Sequence, residues 1–245
     1  ECDALNPVFF HYITTQTPYV VMKYAMTLDG KIATRTGHSK WISGEASRGR
    51  VQQTRNALKG IMVGIGTVLN DDPMLTCRID GGRNPIRIIC DSKLRIPLSS
   101  QVVTTAKEVA TIVATIEPHV EYTRFWNEQK AALEEQGVEV VVVKEVNDRL
   151  DLKDLMRQLG ERKIDGILLE GGSTLNYAAL QAGIVNRIEA YIAPKLFGGA
   201  GLYTPVGGEG VEYATEGIEC RLLTADKIEE DILLTYDVLN KTDAE

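Results

Sequence analysis

Short apolar, β-branched runs alternate with helical patterns along most of the chain. The runs predict strands at 19–27, 60–65, 85–91, 109–116, 138–144, 165–170, 187–193, 218–224 and 231–239. Helical spacing of apolar positions predicts helices at 44–58, 119–136, 152–162 and 173–183. Gly60-Ile-Met-Val, Ile86-Arg-Ile-Ile, Val138-Glu-Val-Val-Val-Val and Gly166-Ile-Leu-Leu are dense enough in apolar residues to be covered on both faces, which predicts a mainly parallel α/β sheet flanked by helices. No helical pattern separates the last two strands, so an antiparallel edge is expected at the C-terminus. Ser43 and Asp151 are candidate N-caps and Gly137 a candidate residue just past a helix end. The stretch 196–210, holding Gly198, Gly199, Gly201, Gly207, Gly208 and Gly210, predicts a long mobile surface loop.

The Thr17-Pro18 step marks a boundary, because a residue before proline avoids the helical region. Ahead of it, Leu5, Val8, Phe9, Phe10, Tyr12 and Ile13 form an apolar cluster that suits the last helix of a preceding domain. The expected organisation is a tail over 1–17 and one domain over 18–245. The chain opens on Glu1 rather than Met, which predicts a piece of a longer polypeptide.

Composition narrows the function classes. With 245 residues, 44% hydrophobic and 25% charged, the chain can bury a sizeable core. A net charge of −7 argues against a dedicated nucleic-acid binder, which needs surplus Lys and Arg. Cys2, Cys77, Cys90 and Cys220 are scattered, which fits a reducing cytoplasm better than a disulfide framework. Three histidines, His11, His38 and His119, make no zinc-binding pattern, so no metal is expected. No apolar run is long enough to cross a bilayer as a helix, and no membrane partner is expected.

In open α/β sheets, ligands bind beyond the carboxyl ends of strands. Three such ends carry chemistry here. Gly166-Ile-Leu-Leu-Glu170-Gly171-Gly172-Ser173-Thr174 stops a buried strand at an acid, bends at two glycines and starts a helix whose N-terminal N–H groups suit a phosphate. Glu170 is then expected to face a neighbouring pocket, where it bonds sugar hydroxyls or handles a proton; the bland alternative is a solvated cap of a tight turn. Ile61-Met-Val-Gly64-Ile-Gly66 imitates a dinucleotide fingerprint, but Leu69 stands where the third glycine belongs and Pro73 stops the following segment. Asp71 and Asp72 there read as turn caps when taken alone. The first strand puts Tyr19, Val21, Lys23, Ala25 and Thr27 on one face, making Lys23 either an edge residue or a cleft residue. Ala25 is small enough to admit a flat ring, and Trp41 either stacks on a ligand or packs its own loop. On the helix after Ser43, Arg55 sits in a stripe with Val51 and Leu58, either snorkelling to water or aimed at an anionic group, with Arg78 able to join it.

Five ordered blocks together closely resemble the C-terminal reductase domain of the bifunctional riboflavin-biosynthesis deaminase/reductase. They are Lys23-Tyr-Ala-Met-Thr-Leu-Asp-Gly-Lys-Ile-Ala33, Ser39-Lys-Trp-Ile-Ser43, Val63-Gly-Ile-Gly-Thr-Val68 with Asp71-Asp-Pro-Met-Leu-Thr76, Glu170-Gly-Gly-Ser173 and Ala193-Pro-Lys-Leu-Phe-Gly-Gly199. The resemblance implies a dihydrofolate-reductase-like fold and NADPH-dependent reduction of a phosphoribosylamino-pyrimidine to its ribityl form. It assigns Ala25, Trp41, Thr67, Asp71, Ser92 and the run Gly172, Ser173, Thr174, Leu175, Asn176, Tyr177 and Ala178 to the cofactor. It assigns Ser39, Arg55, Leu75, Arg78 and Glu170 to the substrate, and places Lys23 and Glu170 nearest the reacting carbon. Ser92 and Lys93 are candidates for the cofactor's 2′-phosphate. Glu1-Cys2 and Leu5-Asn6 ahead of Phe9-Phe10 resemble the end of the family's deaminase domain, whose zinc motifs are missing here, so this chain should not deaminate. The family also implies a homodimer formed near the C-terminal strands.

Lys23, Asp71 and Glu170 are expected around one crevice sized for a nicotinamide beside a phosphorylated sugar. The rival readings are a same-fold reductase with another pterin or pyrimidine substrate, and a non-catalytic nucleotide-binding or dimerisation domain supporting a deaminase. A generic Rossmann dehydrogenase fits least, because of the absent glycine.

Overall fold

The computed structural model describes residues 6–201 and 203–239. Glu1, Cys2 and Leu5 of the tail, one position of the glycine-rich stretch and the last six of 240–245 lie outside the described residues. The elements run α1 (Pro7–Thr15), β1 (Tyr19–Thr27), α2 (Glu45–Ala57), β2 (Gly60–Gly64), α3 (Ile65–Asp71), β3 (Ile86–Cys90), α4 (Gln101–Thr104) and β4 (Thr111–Thr115). After a 3-10 turn (Val120–Tyr122) come α5 (Thr123–Glu135), β5 (Glu139–Val142), β6 (Glu145–Val146), β7 (Arg149–Leu150), α6 (Leu152–Glu161) and β8 (Gly166–Leu169). The chain closes with α7 (Ser173–Gln181), β9 (Arg187–Ala193), a second 3-10 turn (Ala214–Glu216), β10 (Cys220–Ile228) and β11 (Asp231–Val238). All nine predicted strands and all four predicted helices are present, with ends shifted by a few residues. The short α3 and α4 and the β6–β7 hairpin were not expected. They are too brief for a hydrophobic period to register.

Two compact units divide the chain. The first comprises residues 1–19 and 55–168, and holds β8-β2-β3-β4-β5. β2, β3, β4 and β5 pair in parallel. Their residues are buried on both faces: Ile61, Val63, Ile89 and Val113 enter a cluster with Val102, Trp126 and Leu133, while Met62, Ile88 and Ile112 point the other way and are equally covered. The one charged residue within β2, β3 and β4 is Arg87, fully buried in β3. It donates to the hydroxyls of Thr111 (2.9 Å) and Thr105 (2.8 Å) and to the carbonyls of Thr105 (3.1 Å), Val109 (2.6 Å) and Met74 (3.3 Å). Burial pulls its pKa down to about 10, still far above neutrality, so the guanidinium stays charged within this ring of acceptors. In the same unit α1 docks through the Tyr12 hydroxyl on the Gly160 carbonyl (3.0 Å). A Cβ at Gly160 would collide with the Gln16 carbonyl, so only glycine permits this approach.

The second unit comprises residues 20–54 and 169–245, with strand order β10-β11-β9-β1. β1 and β9 pair in parallel, and β9–β11 and β11–β10 pair antiparallel, so the C-terminal edge is as the sequence predicts. The start of α2 corrects one expectation. The helix begins at Glu45, which leaves Ser43 outside the cap. The cap comes instead from the far end of the unit: Asp231, buried at the head of β11, accepts from the Gly44 N–H (2.7 Å) and the Ser47 hydroxyl (2.6 Å). Asp151 does cap α6, accepting from the N–H groups of Lys153 and Asp154, and Gly137 follows α5 at φ +91.

The glycine-rich stretch is exposed as predicted, but it is tethered rather than free. Asp29 accepts from the Thr27 hydroxyl (2.5 Å), the Phe197 N–H (3.1 Å) and the Gly198 N–H (2.7 Å). Lys195 donates to the carbonyls of Trp41 and Ile42, both at 2.9 Å. Farther on, the Gly207 N–H reaches the Ser173 carbonyl (3.0 Å) and the Asn176 amide reaches the Pro205 carbonyl (2.9 Å). Gly208, at φ +81, lies against the Tyr177 ring so closely that a Cβ would overlap it.

Two outcomes follow from these anchors. Asp231→Ala leaves the Gly44 N–H and the Ser47 hydroxyl without their acceptor, and is expected to cost about 1–3 kcal/mol in urea unfolding. The three hydrogen bonds to Asp29, led by that from Thr27, lower its pKa from 3.8 to about 2. A carboxyl lowered on folding stabilises fully above its ordinary value and loses that contribution as pH falls through the folded one. The Phe197 and Gly198 amide NMR shifts should therefore titrate with a midpoint near pH 2, and Asp29→Asn should abolish that titration.

Candidate active site

In the second unit, the parallel register sets Lys23 beside Glu189 and Ala25 beside Tyr191. Paired residues of neighbouring strands share a face, so these four side chains form one patch. Lys23 is half-buried rather than at a free edge, with its ammonium 5.9 Å from the centre of the Tyr191 ring. Tyr191 is fully buried, and its hydroxyl lies 3.4 Å from Glu189 Oε2. The Thr54 hydroxyl approaches the same oxygen at 3.3 Å. Burial pushes the Glu189 carboxyl above its usual range, partly offset by those two hydrogen bonds and by the charges of Arg50 and Arg187. Burial also raises Tyr191 well beyond the ordinary phenol value, with the charges of Glu189 and Glu170 adding to the effect. Tyr191 is thus a neutral hydroxyl at any physiological pH. Of the residues named from the sequence, Lys23 lies over the ring of this phenol and the charge of Glu170 acts on its hydroxyl.

Glu170 follows the last residue of β8 and is half-buried. It is not the cap of the next helix: Gly172 occupies the cap position of α7, and no side chain bonds there. A Cβ on Gly172 would meet nothing within 4 Å, so the space beside the cap residue of α7 is open. Uncapped N–H groups at a nine-residue helix with open space ahead fit a phosphate of a dinucleotide. Gly171 is needed for a different reason, since a Cβ there would come within 2.6 Å of Asn176 Oδ1. Within α7, Asn176 is fully buried and Thr174 exposed, while Ser173, Leu175, Tyr177 and Ala178 are partly buried. Ser39 is half-buried. Trp41 is 70% exposed at φ +68, with the Arg48 guanidinium 4.5 Å from its ring centre, so it does not pack its loop.

In the first unit, Arg55 is buried, not snorkelling, and donates to the Thr76 carbonyl at 2.8 Å. With Arg87 on the Met74 carbonyl, two guanidiniums hold the backbone on either side of Leu75, itself buried at φ +52. Arg78 is exposed. Thr67 is half-buried on α3, and Asp71 is exposed at that helix's last turn. The neighbouring Asp72 ends α3 in a left-handed conformation and accepts from the Gln101 N–H (2.8 Å), a capping role that its sequence predicts. Ser92 lies half-buried beyond β3, its carbonyl accepting from the Thr115 hydroxyl (3.3 Å). Lys93 beside it is exposed.

Sequence reasoning missed Glu189, Tyr191, Thr54 and Arg87. The first two lie in Arg187-Ile-Glu-Ala-Tyr-Ile-Ala193, whose alternation of polar and apolar residues differs from the continuous runs of β2, β3 and β8 but is an ordinary strand pattern that does not mark a site. Among the described residues, one cluster has metal-ligand geometry, formed by His119, Glu145 and Asp148; all three are exposed.

A family model described as the RibD C-terminal domain matches residues 18–234. A similar protein from Actinobacillus pleuropneumoniae, named riboflavin biosynthesis protein RibD, is 54% identical over 98% of this chain and 62% of its own length. One from Methanothermobacter thermautotrophicus, named 2,5-diamino-6-ribosylamino-4(3H)-pyrimidinone 5′-phosphate reductase, is 41% identical over 90% of this chain and 98% of its own length. The solved structure of Acinetobacter baumannii RibD, form 1, superposes with a TM-score of 0.81 at 29% identity, covering 97% of this chain and 63% of that one. This chain thus spans a little under two thirds of the RibD proteins it matches. The fold is the dihydrofolate-reductase-like one that the sequence predicts. The chain belongs to the family of RibD C-terminal domains.

Proposed function

We propose that this chain is a reductase that converts 5-amino-6-(5-phosphoribosylamino)uracil to 5-amino-6-(5-phosphoribitylamino)uracil with NADPH. One observation carries the reading: a protein named as a reductase of a ribosylamino-pyrimidinone 5′-phosphate is matched over 98% of its own length, so the region shared with this chain is nearly all that protein has. The Lys23, Glu170 and Tyr191 neighbourhood and the open N-terminus of α7 supply the kind of groups that such a reaction uses.

In the proposed reaction the ribosylamine ring opens to an imine, a hydride adds to C1 of the sugar, and a proton goes to the nitrogen. The nicotinamide supplies the hydride when bound. The residues of this chain position, charge and protonate. α7 from Gly172 to Ala178 holds cofactor phosphate on its first-turn N–H groups, with Ala25, Trp41, Thr67, Asp71 and Ser92 as further cofactor residues. Arg55 and Arg78 hold the substrate phosphate, for which a guanidinium fork is suited. Ser39 and Leu75 complete the substrate set. Glu170 orients the opened sugar or relays a proton, and Lys23 supports charge near the imine. We further propose a cytoplasmic homodimer joined near the C-terminal strands, in a polypeptide that carries a deaminase domain ahead of this one.

The name of the archaeal relative favours a second reading, in which the substrate still carries the 2-amino group. Oxidation of NADPH at 340 nm with each of the two phosphoribosylamino-pyrimidines separates them, and no turnover with either would overturn the proposal. Glu170→Gln is expected to lower kcat about 100-fold, within the range of a lost acid–base or orienting group. Arg78→Ala should raise KM for the substrate about tenfold with little change in kcat, as expected for uniform binding. Arg55→Ala should raise KM too, and also lower the melting temperature through loss of the Thr76 contact.

A further inference from the structure

Trp41 belongs to the cofactor in the reading above, and the inference that follows rests on that assignment. Large aromatic side chains are normally drawn out of water, yet this indole is 70% exposed. Its backbone lies in the left-handed region, at φ +68, where a residue other than glycine stays only if its surroundings hold it there. Those surroundings are identifiable. The Lys195 ammonium, just past β9, donates to the carbonyls of Trp41 and Ile42, both at 2.9 Å. Arg48, on the first turn of α2, donates to the next carbonyl, that of Ser43, at 2.7 Å. The Gly44 N–H then meets Asp231 at 2.7 Å, and the Ile42 side chain is buried. Residues 41–44, outside any helix or strand, are thus fixed in succession by side chains from three other stretches of the second unit.

Arg48 also meets the indole itself. Its guanidinium lies 4.5 Å from the centre of the Trp41 ring, well inside the range of cation–π attraction. That contact covers one face of the indole, and the high exposure leaves the opposite face to solvent. Water would satisfy the carbonyls of a surface loop without help. Ordering an arginine and a lysine instead gives up more rotamer freedom than ordering most side chains. Such a loop makes sense when its aromatic has to be aimed before a ligand arrives, because preorganisation takes the ordering step out of binding.

We propose that Arg48 and Lys195 are positioning residues that hold Trp41 as a preformed stacking platform for a flat ring of the nicotinamide dinucleotide. Lys195 sets the backbone, and Arg48 backs the indole on the face turned away from the ligand. Both act on the cofactor through Trp41.

Arg48→Met keeps the reach of the side chain and removes the guanidinium; Lys195→Met does the same for the ammonium. The two tryptophans, Trp41 and Trp126, give two indole N–H signals, which Trp41→Phe assigns. In ligand-free protein, NMR relaxation should give the Trp41 indole an order parameter of about 0.85, as in rigid backbone, and below about 0.6 in each Met variant. The NADPH dissociation constant, read by calorimetry, should rise about tenfold in Arg48→Met, with KM for the pyrimidine within about twofold. Made on Trp41→Ala, the same substitution should change that constant less than about twofold, since the indole it acts through is gone. An indole as rigid in Arg48→Met as in wild type, or an unchanged NADPH affinity, would overturn the proposal. So would a loss of affinity undiminished on Trp41→Ala, which would mean that Arg48 meets the anionic cofactor directly. Should Lys195→Met not fold, the Arg48 variants decide the matter. Wild type that fails to bind NADPH would instead sink the functional reading, while the ligand-free relaxation still reports whether the two cations hold the ring.

Discussion

A parallel strand buried on both faces has no room for polar groups except where the protein has built partners for them. This constraint organises both units. In the first, Arg87 is the one charged residue within β2, β3 and β4, and it is satisfied by five acceptors gathered from four residues. In the second, β1 and β9 run parallel and carry Lys23, Glu189 and Tyr191 side by side, each leaning on another. Polar residues tolerated inside a sheet are thus few, and each is bound to a neighbour. The same economy moves the remaining chemistry to strand ends, where glycines and helix N-termini supply groups that a packed interior cannot.

Around those ends, the loop geometry is held by hydrogen bonds to backbone atoms. Asp29 and Lys195 link three stretches, 23–33, 39–43 and 193–199, through bonds to main-chain atoms. Main-chain contacts specify position without demanding burial. This suits a surface that must stay open, and it gives a reason for the short polar blocks that the resemblance picked out.

Much of this was legible in the sequence. Continuous apolar runs gave the parallel strands, and their interruption by Glu170 and two glycines marked the β8–α7 turn correctly. Lys23 stood out as a charge in an apolar strand. What escaped had no local signal or a misleading one. The cap of α2 is a residue almost at the other end of the chain, and proximity in sequence favoured Ser43 instead. Arg55 lay in an apolar stripe, where an arginine commonly reaches for water; its acceptor, the Thr76 carbonyl, is invisible to pattern reading. Glu189 and Tyr191 read as ordinary strand alternation because their meaning depends on register with β1, a tertiary fact. The glycine-rich stretch suggested freedom, whereas its glycines serve the tight approach to Tyr177 and the turns between tethers.

The paired grip on the backbone around Leu75 has an implication for how substitutions spread. Arg87 is itself seated by Thr105 and Thr111, residues in no recognised motif. Loss of either hydroxyl loosens the guanidinium, and the Met74 carbonyl then loses its donor, leaving the left-handed Leu75 secured from one side only. Substitutions at positions 105 and 111 would thereby register at a distance, as a displaced backbone at Leu75, with every residue of that turn intact.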